Sequence, residues 1–200
     1  IGFGGRVMGD GKPKYLNSPE TKIFDKSRNL YGLHLARSSR RKNLIICEGY
    51  MDVISMHQAG FTNAVASLGT AFTSQHAGVL KRYTDQVILT YDSDGAGIKA
   101  ALRAIPILRD AGISARVLNM KPYKDPDEFI KNMGADAFKE RIAQAKNSFL
   151  FEIDVLKRNY QLEDPEQKTK FYQETAKKLL QFGEPLERDN YIQAVSREQM

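Results

Sequence analysis

Between residues 43 and 120 the chain alternates short apolar runs with longer stretches of helical period. The runs are NLIICE (43–48), NAVAS (63–67), QVILTY (86–91) and SARVLNM (114–120), rich in β-branched and aliphatic residues and without polar alternation. That is the pattern of strands buried on both faces. Between them lie YMDVISMHQAG, FTSQHAGVLKRY and AGIKAALRAIPILRDAG, which suit amphipathic helices, two of them stopping at a glycine. Pro106 falls inside the third as a candidate kink. Strands separated by helices predict right-handed crossovers and a parallel sheet, hence an α/β fold.

Past residue 126 the apolar runs stop. DPDEFIKNMGADAFKERIAQAKNSFLFEIDVLKRNY reads as helical throughout. LEDPEQ restarts a helix, with Asp164 as N-cap, Pro165 at the first position and Gln167 closing a capping box, and a last helix follows Pro185. Phe149, Phe151, Tyr160, Phe171, Tyr172, Phe182 and Tyr191 recur at helical spacing and predict the core of a small bundle rather than a stacking platform. The expected organisation is a basic segment over 1–42, a parallel α/β domain over 43–144 and a helical subdomain over 145–200.

Charge separates the first of these from the rest. Residues 1–42 carry ten Lys/Arg against three acids, while the remaining 158 carry 20 against 21, in a chain of net charge +6. A polyanion partner is expected at the basic end, although RSSRRK (37–42) also reads as a solvated, unstructured run. GFGGRVMG and KYLNSPETKIF, which mix apolar residues and turn signals with charge, read as ordered. The single cysteine, Cys47, excludes an internal disulfide and reads as a core residue. No apolar run approaches the ~20 residues of a membrane span. The opening IGFGG, with no Met or polar leader, reads as an internal start within a longer chain. His34, His57 and His76 form no constellation and read as surface or satisfied core residues.

The candidate chemistry lies at strand ends, where ligands bind in open α/β sheets. The first run ends in Glu48, the third leads into Asp92 and Asp94, and the fourth leads to Asp125 and Asp127. In extended segments residues two apart point the same way, so each aspartate pair is able to converge. Several crowded carboxylates call for cations, and hard oxygen donors suit Mg²⁺ or Mn²⁺. Gly95 and Gly97 are expected to give the tight turn that brings backbone close to a phosphate. Other readings remain. DSDGAG imitates a calcium loop, but Ala96 and Arg103 occupy ligand positions. D-x-D after a strand also opens aspartyl-phosphatase chemistry. Asp94, and Asp125 or Asp127, suit helix N-caps, a role that accounts for neither Glu48 nor Asp92.

EGYMD (48–52), YDSDGAG (91–97) and DPDEF (125–129) resemble the Toprim domain of primases, topoisomerases and some nucleases. The preceding IGFGGRVMGDGKPKYLNSPETKIFDKSRNLYGL resembles the segment before Toprim in bacterial DNA primases of the DnaG type, and nearly the whole chain follows that family's RNA polymerase core in order. The resemblance implies a Toprim-type parallel sheet flanked by helices, preceded by a basic α+β segment and followed by a helical bundle. It implies RNA primer synthesis on single-stranded DNA from ribonucleoside triphosphates, forming an RNA–DNA hybrid. Glu48, Asp92 and Asp94 become the catalytic acidic group, with Asp125 and Asp127 completing a site for two Mg²⁺ or Mn²⁺ ions. Arg6, Lys14 and Lys26 match basic positions that bind template or nucleotide, and Asn17 and Ser18 lie in the same motif. The implied setting is the bacterial cytoplasm at the replication fork. The family's zinc-binding domain is expected before Ile1 and its helicase-binding domain after Met200; nothing within the chain has zinc-ligand spacing. A non-catalytic Toprim scaffold, or a topoisomerase or nuclease fragment, are the alternative readings.

Overall fold

In the computed structural model, which describes residues 2–7, 9, 11–13 and 15–199, the four apolar runs form adjacent strands of one sheet. The chain divides into two compact units, Ile1–Ala145 and Lys146–Met200.

The first unit opens with a two-stranded antiparallel hairpin, β1 (Gly4–Arg6) and β2 (Tyr15–Asn17), and a short helix α1 (Leu33–Ala36). Strands β3 (Leu44–Cys47), β4 (Ala64–Ala66), β5 (Gln86–Thr90) and β6 (Ser114–Val117) alternate with helices α2 (Tyr50–Gln58), α3 (Ser74–Leu80) and α4 (Gly95–Asp110), and α5 (Pro126–Ala143) follows. The strands pair in parallel in the order β4-β3-β5-β6. Tyr31 bridges to Ala66 and ties the basic segment to β4. Side chains alternate across the sheet. Ile45, Cys47, Ala64, Ala66 and Ile88 join Val53, Met56, Phe129 and Phe138 of α2 and α5 in one core. Leu44, Ile46, Val65, Val87 and Leu89 point to the other face and are buried as well. Two-sided burial is why these runs lack polar alternation. Each such side chain contributes about 1.5–3 kcal/mol relative to exposure.

Helix boundaries show where local sequence gave way to the fold. Helix α4 runs unbroken through Pro106. The stretch from residue 126 to 160, expected to be helical throughout, is interrupted at Gly134 (φ 82°, ψ 171°) and again between α5 and α6 (Ser148–Lys157), where Asn147 caps the new helix. A positive φ is open to glycine at little cost, so the break needs no polar punctuation around it.

The second unit contains α6, α7 (Pro165–Leu179) and α8 (Pro185–Gln199). Phe149, Ile153, Phe171 and Phe182 form its core, with Tyr160 and Tyr191 packed against it, whereas Tyr172 is exposed. Asp164 caps α7 through the Glu166 N–H, but the expected capping box is not closed. The Gln167 side chain accepts from the N–H of Gln161 instead.

Candidate active site

Strand β3 lies between β4 and β5, so the chain leaves it toward one side and returns on the other. Such a reversal opens a crevice at the carboxyl ends of the two central strands. Glu48 follows β3 directly and Asp92 stands two residues past β5. The Asp92 N–H donates to Glu48 Oε2 at 3.4 Å, so the two acidic loops touch. Around them is an open cleft of about 410 Å³ whose wall includes Arg6, Asn17, Glu48, Tyr50, Asp52, Asp92, Lys124, Asp125 and Asp127.

Backbone contacts fix the rim. The Asp94 carboxylate caps α4, accepting from the N–H groups of Ala96 (2.9 Å) and Gly97 (2.8 Å). A Cβ on Gly97 would lie 2.0 Å from the Asp92 carbonyl oxygen, so glycine is required there, while the space around Gly95 is open. The Ser93 N–H donates to the Lys124 carbonyl at 2.9 Å and joins the D-x-D loop to the loop before α5. Asp125 caps α5 through the Glu128 N–H at 2.8 Å. Asp127 accepts from the Ser55 hydroxyl of α2 and pairs with Lys131 at 2.6 Å. Each aspartate read as a possible N-cap is thus placed: Asp94 and Asp125 cap helices, and Asp127 does not.

Electrostatics follows from this crowding. Burial raises the Glu48 carboxyl, with repulsion from Asp92 and Asp94 added. Burial also raises Asp92, against the pull of Lys124, whose ammonium lies 3.3 Å from Asp92 Oδ2. Asp52, in the first turn of α2, is pushed up to about 7 by burial and by Asp125, Asp92 and Asp127, although it accepts the Gly49 N–H. Burial works on Asp127 in the same sense, but its bonds to Lys131 and Ser55 outweigh it and hold that carboxyl low. Among the described residues no three His, Cys, Asp or Glu side chains stand close enough to hold one ion as a ready-made cage. The carboxylates turn instead to Lys124, Lys131, Ser55 and backbone N–H groups.

The basic hairpin reaches the same cleft through Arg6 and Asn17. Tyr50, the third residue of EGYMD, packs its ring on Tyr15 (5.5 Å) and Tyr31 (5.7 Å), and Arg6 lies over Tyr15. The Tyr50 hydroxyl and Asn17 Oδ1 are both buried and have no hydrogen-bond partner among the described residues. Ser18 closes the hairpin, accepting the Phe3 N–H on its hydroxyl and donating its own N–H to the Phe3 carbonyl, and does not line the cleft. Lys26 is half-buried away from the cleft, its carbonyl accepting from His76 Nε2–H. Lys14 lies outside the described residues. Tyr50, Asp52 and Lys124 are additions that sequence reasoning did not assign. Asp52 had a signal, its place in the first turn after Glu48; Lys124 had none.

Three family descriptions match the chain: "DNA primase catalytic core, N-terminal domain" over residues 1–37, "Toprim-like" over 45–130 and "DnaB-helicase binding domain of primase" over 149–198. The DNA primase of Clostridium acetobutylicum is 46% identical over 197 residues, which cover 98% of this chain and 33% of the relative. The E. coli primase catalytic core superposes with a TM-score of 0.83 at 38% identity, covering 98% of this chain and 64% of that one. A DnaG primase catalytic domain bound to single-stranded DNA gives 0.84 at 37%, with 98% and 65% covered. The chain spans about one third of the length of that curated relative. The match over 149–198 corrects one expectation, since a helicase-binding sequence type was anticipated only after Met200. An apolar helical pattern reads equally well as bundle core, and nothing in it names a partner.

Proposed function

The chain belongs to the bacterial DNA primase family, and on that premise we propose that it is part of a catalytic core that makes RNA primers on single-stranded DNA by divalent-metal-dependent nucleotidyl transfer. The observation that supports this most is the meeting of Glu48 and Asp92 at the switch point of a parallel sheet, in a cleft shared with Asp125, Asp127 and the basic hairpin. The donor set fits hard cations: it is all carboxylate oxygen, and burial and mutual repulsion raise two of its members, which a divalent ion would relieve. Glu48, Asp92, Asp94, Asp125 and Asp127 would hold Mg²⁺ or Mn²⁺. Such ions lower the pKa of an attacking 3′-hydroxyl and screen charge on the leaving oxygens.

The protein's own groups do the rest. Glu48, exposed at the rim beside Asp92, serves as an oxygen donor to an ion or as the acceptor of the hydroxyl proton. Arg6 faces the acidic rim from β1 and meets template or triphosphate oxygens, with Lys14, Lys26, Asn17 and Ser18 assigned to the same nucleotide- and template-binding segment. Residues 1–42 are the end of the basic subdomain, 43–144 the Toprim domain and 145–200 a helical subdomain that contributes to helicase contact. Ribonucleoside triphosphates, a DNA template and the RNA–DNA hybrid are the ligands, in the bacterial cytoplasm at the fork. A topoisomerase or nuclease origin is not favoured, because the primase-specific match over 1–37 precedes the Toprim-like one.

Glu48→Gln and Asp92→Asn in the full-length enzyme are expected to lower ribonucleotide incorporation by about 100-fold or more with circular dichroism unchanged. Normal incorporation by either variant would overturn the reading.

A further inference from the structure

Lys124 is fixed at both sides of its backbone. Its carbonyl accepts from Ser93 N–H at 2.9 Å, and its own N–H donates to Glu128 Oε2 at 2.6 Å. The residue is thereby held between the D-x-D loop and the start of α5, where it lines the cleft. There its ammonium lies 3.3 Å from Asp92 Oδ2. The two partners differ in freedom: the Lys124 side chain is 60% exposed, and that of Asp92 17%. Asp92 is set by the fold, and the lysine, on a flexible four-carbon stem, is the member able to leave. Asp125 and Asp94 also attract it, and Arg6 lines the same cleft.

We propose that Lys124 neutralises Asp92 until a divalent cation takes that carboxylate, and then binds the triphosphate of the incoming nucleotide. This rests on the reading of the acidic rim as a divalent-ion site. One ammonium cannot pair with Asp92 and a phosphate at once, so ion binding frees the charge that the nucleotide needs. Metal and nucleotide binding are then coupled through a single side chain, and the coupling is reciprocal.

The test separates two affinities in the full-length protein. Both clamps on residue 124 use its backbone atoms, so Lys124→Met leaves them in place. Titration calorimetry with Mn²⁺ alone is expected to show roughly two- to fivefold tighter binding in Lys124→Met, the scale of a part-exposed ion pair removed from competition. Nucleoside triphosphate binding in Ca²⁺ is expected to weaken roughly tenfold, the scale of one charge-assisted hydrogen bond, and Lys124→Arg is expected to restore most of it. Unchanged or weaker Mn²⁺ binding overturns the proposal, and so does unchanged nucleotide binding. A merely structural role would lower both affinities together and likewise overturn it. Asp92→Asn keeps this apart from the parent reading: loss of Mn²⁺ binding there, with neither affinity altered in Lys124→Met, sinks the lysine alone.

Discussion

A methyl group on Gly97 would stand 2.0 Å from the Asp92 carbonyl oxygen, and that oxygen belongs to backbone with no rotamer to yield. Gly97→Ala is therefore expected to cost about 1–3 kcal/mol in urea unfolding and to displace Asp92, lowering primer synthesis beyond the stability loss. Gly95→Ala, in open space, serves as the control and should do neither. Asp52 carries a pH signature. Its carboxyl, ordinarily at 3.8, titrates at about 7 in the folded protein, so between those values the folded state binds a proton that the unfolded chain has released. Stability accordingly falls as pH rises across that window and levels off above it. Asp52→Asn keeps an acceptor for the Gly49 N–H, and is expected to flatten most of this slope and to stabilise the protein at pH 8 by on the order of 2–4 kcal/mol. Urea titrations at pH 5 and pH 8 check it; an unaltered slope would place the titration elsewhere. Glu48 and Asp92 were legible in the sequence because each ends an apolar run. Lys124 was not, since its partner is 32 residues away and only the fold brings them together.

At the scale of elements, the strands were legible because two-sided burial leaves an unmistakable run of aliphatic residues, as in LIIC and QVILT. The break in α5 was not, because KNMGADAF has helix formers on both sides of Gly134 and a tolerated glycine looks like a turning one. The contact between hairpin and α2 was equally hidden, resting on three tyrosines from separate segments, Tyr15, Tyr31 and Tyr50. The buried Tyr50 hydroxyl finds no partner among the described residues, so Tyr50→Phe is expected to be neutral or to stabilise by up to about 1 kcal/mol. Tyr50→Ala removes the ring and is expected to speed amide exchange in β1 and β2 while β3 and β5 stay protected. Equal protection in the hairpin of both variants would show that the ring does not hold it.

At the scale of the molecule, each of the two compact units has a hydrophobic core of its own among the described residues, one on the parallel sheet and one around Phe171. Phe171→Ala is expected to cost about 3–5 kcal/mol, read as loss of amide protection across α6 to α8 with β3 to β6 unaffected. Among the described residues no helix is long and apolar enough to cross a membrane. The sequence located the acidic rim because its carboxylates follow strand ends; it could not show that Asp94 and Asp125 also cap helices, or that Lys124 and Lys131 already engage their neighbours, since those pairings exist only in three dimensions. The most direct measurement of the central claim is an anomalous-scattering crystal structure with Mn²⁺ and an unreactive nucleoside triphosphate. Ions are expected at the carboxyl edge of the sheet, coordinated at roughly 2.0–2.6 Å by oxygens of Glu48, Asp92 and their aspartate neighbours, with the triphosphate in the cleft between them and Arg6. Ions bound elsewhere, with Glu48 and Asp92 uncoordinated, would contradict it.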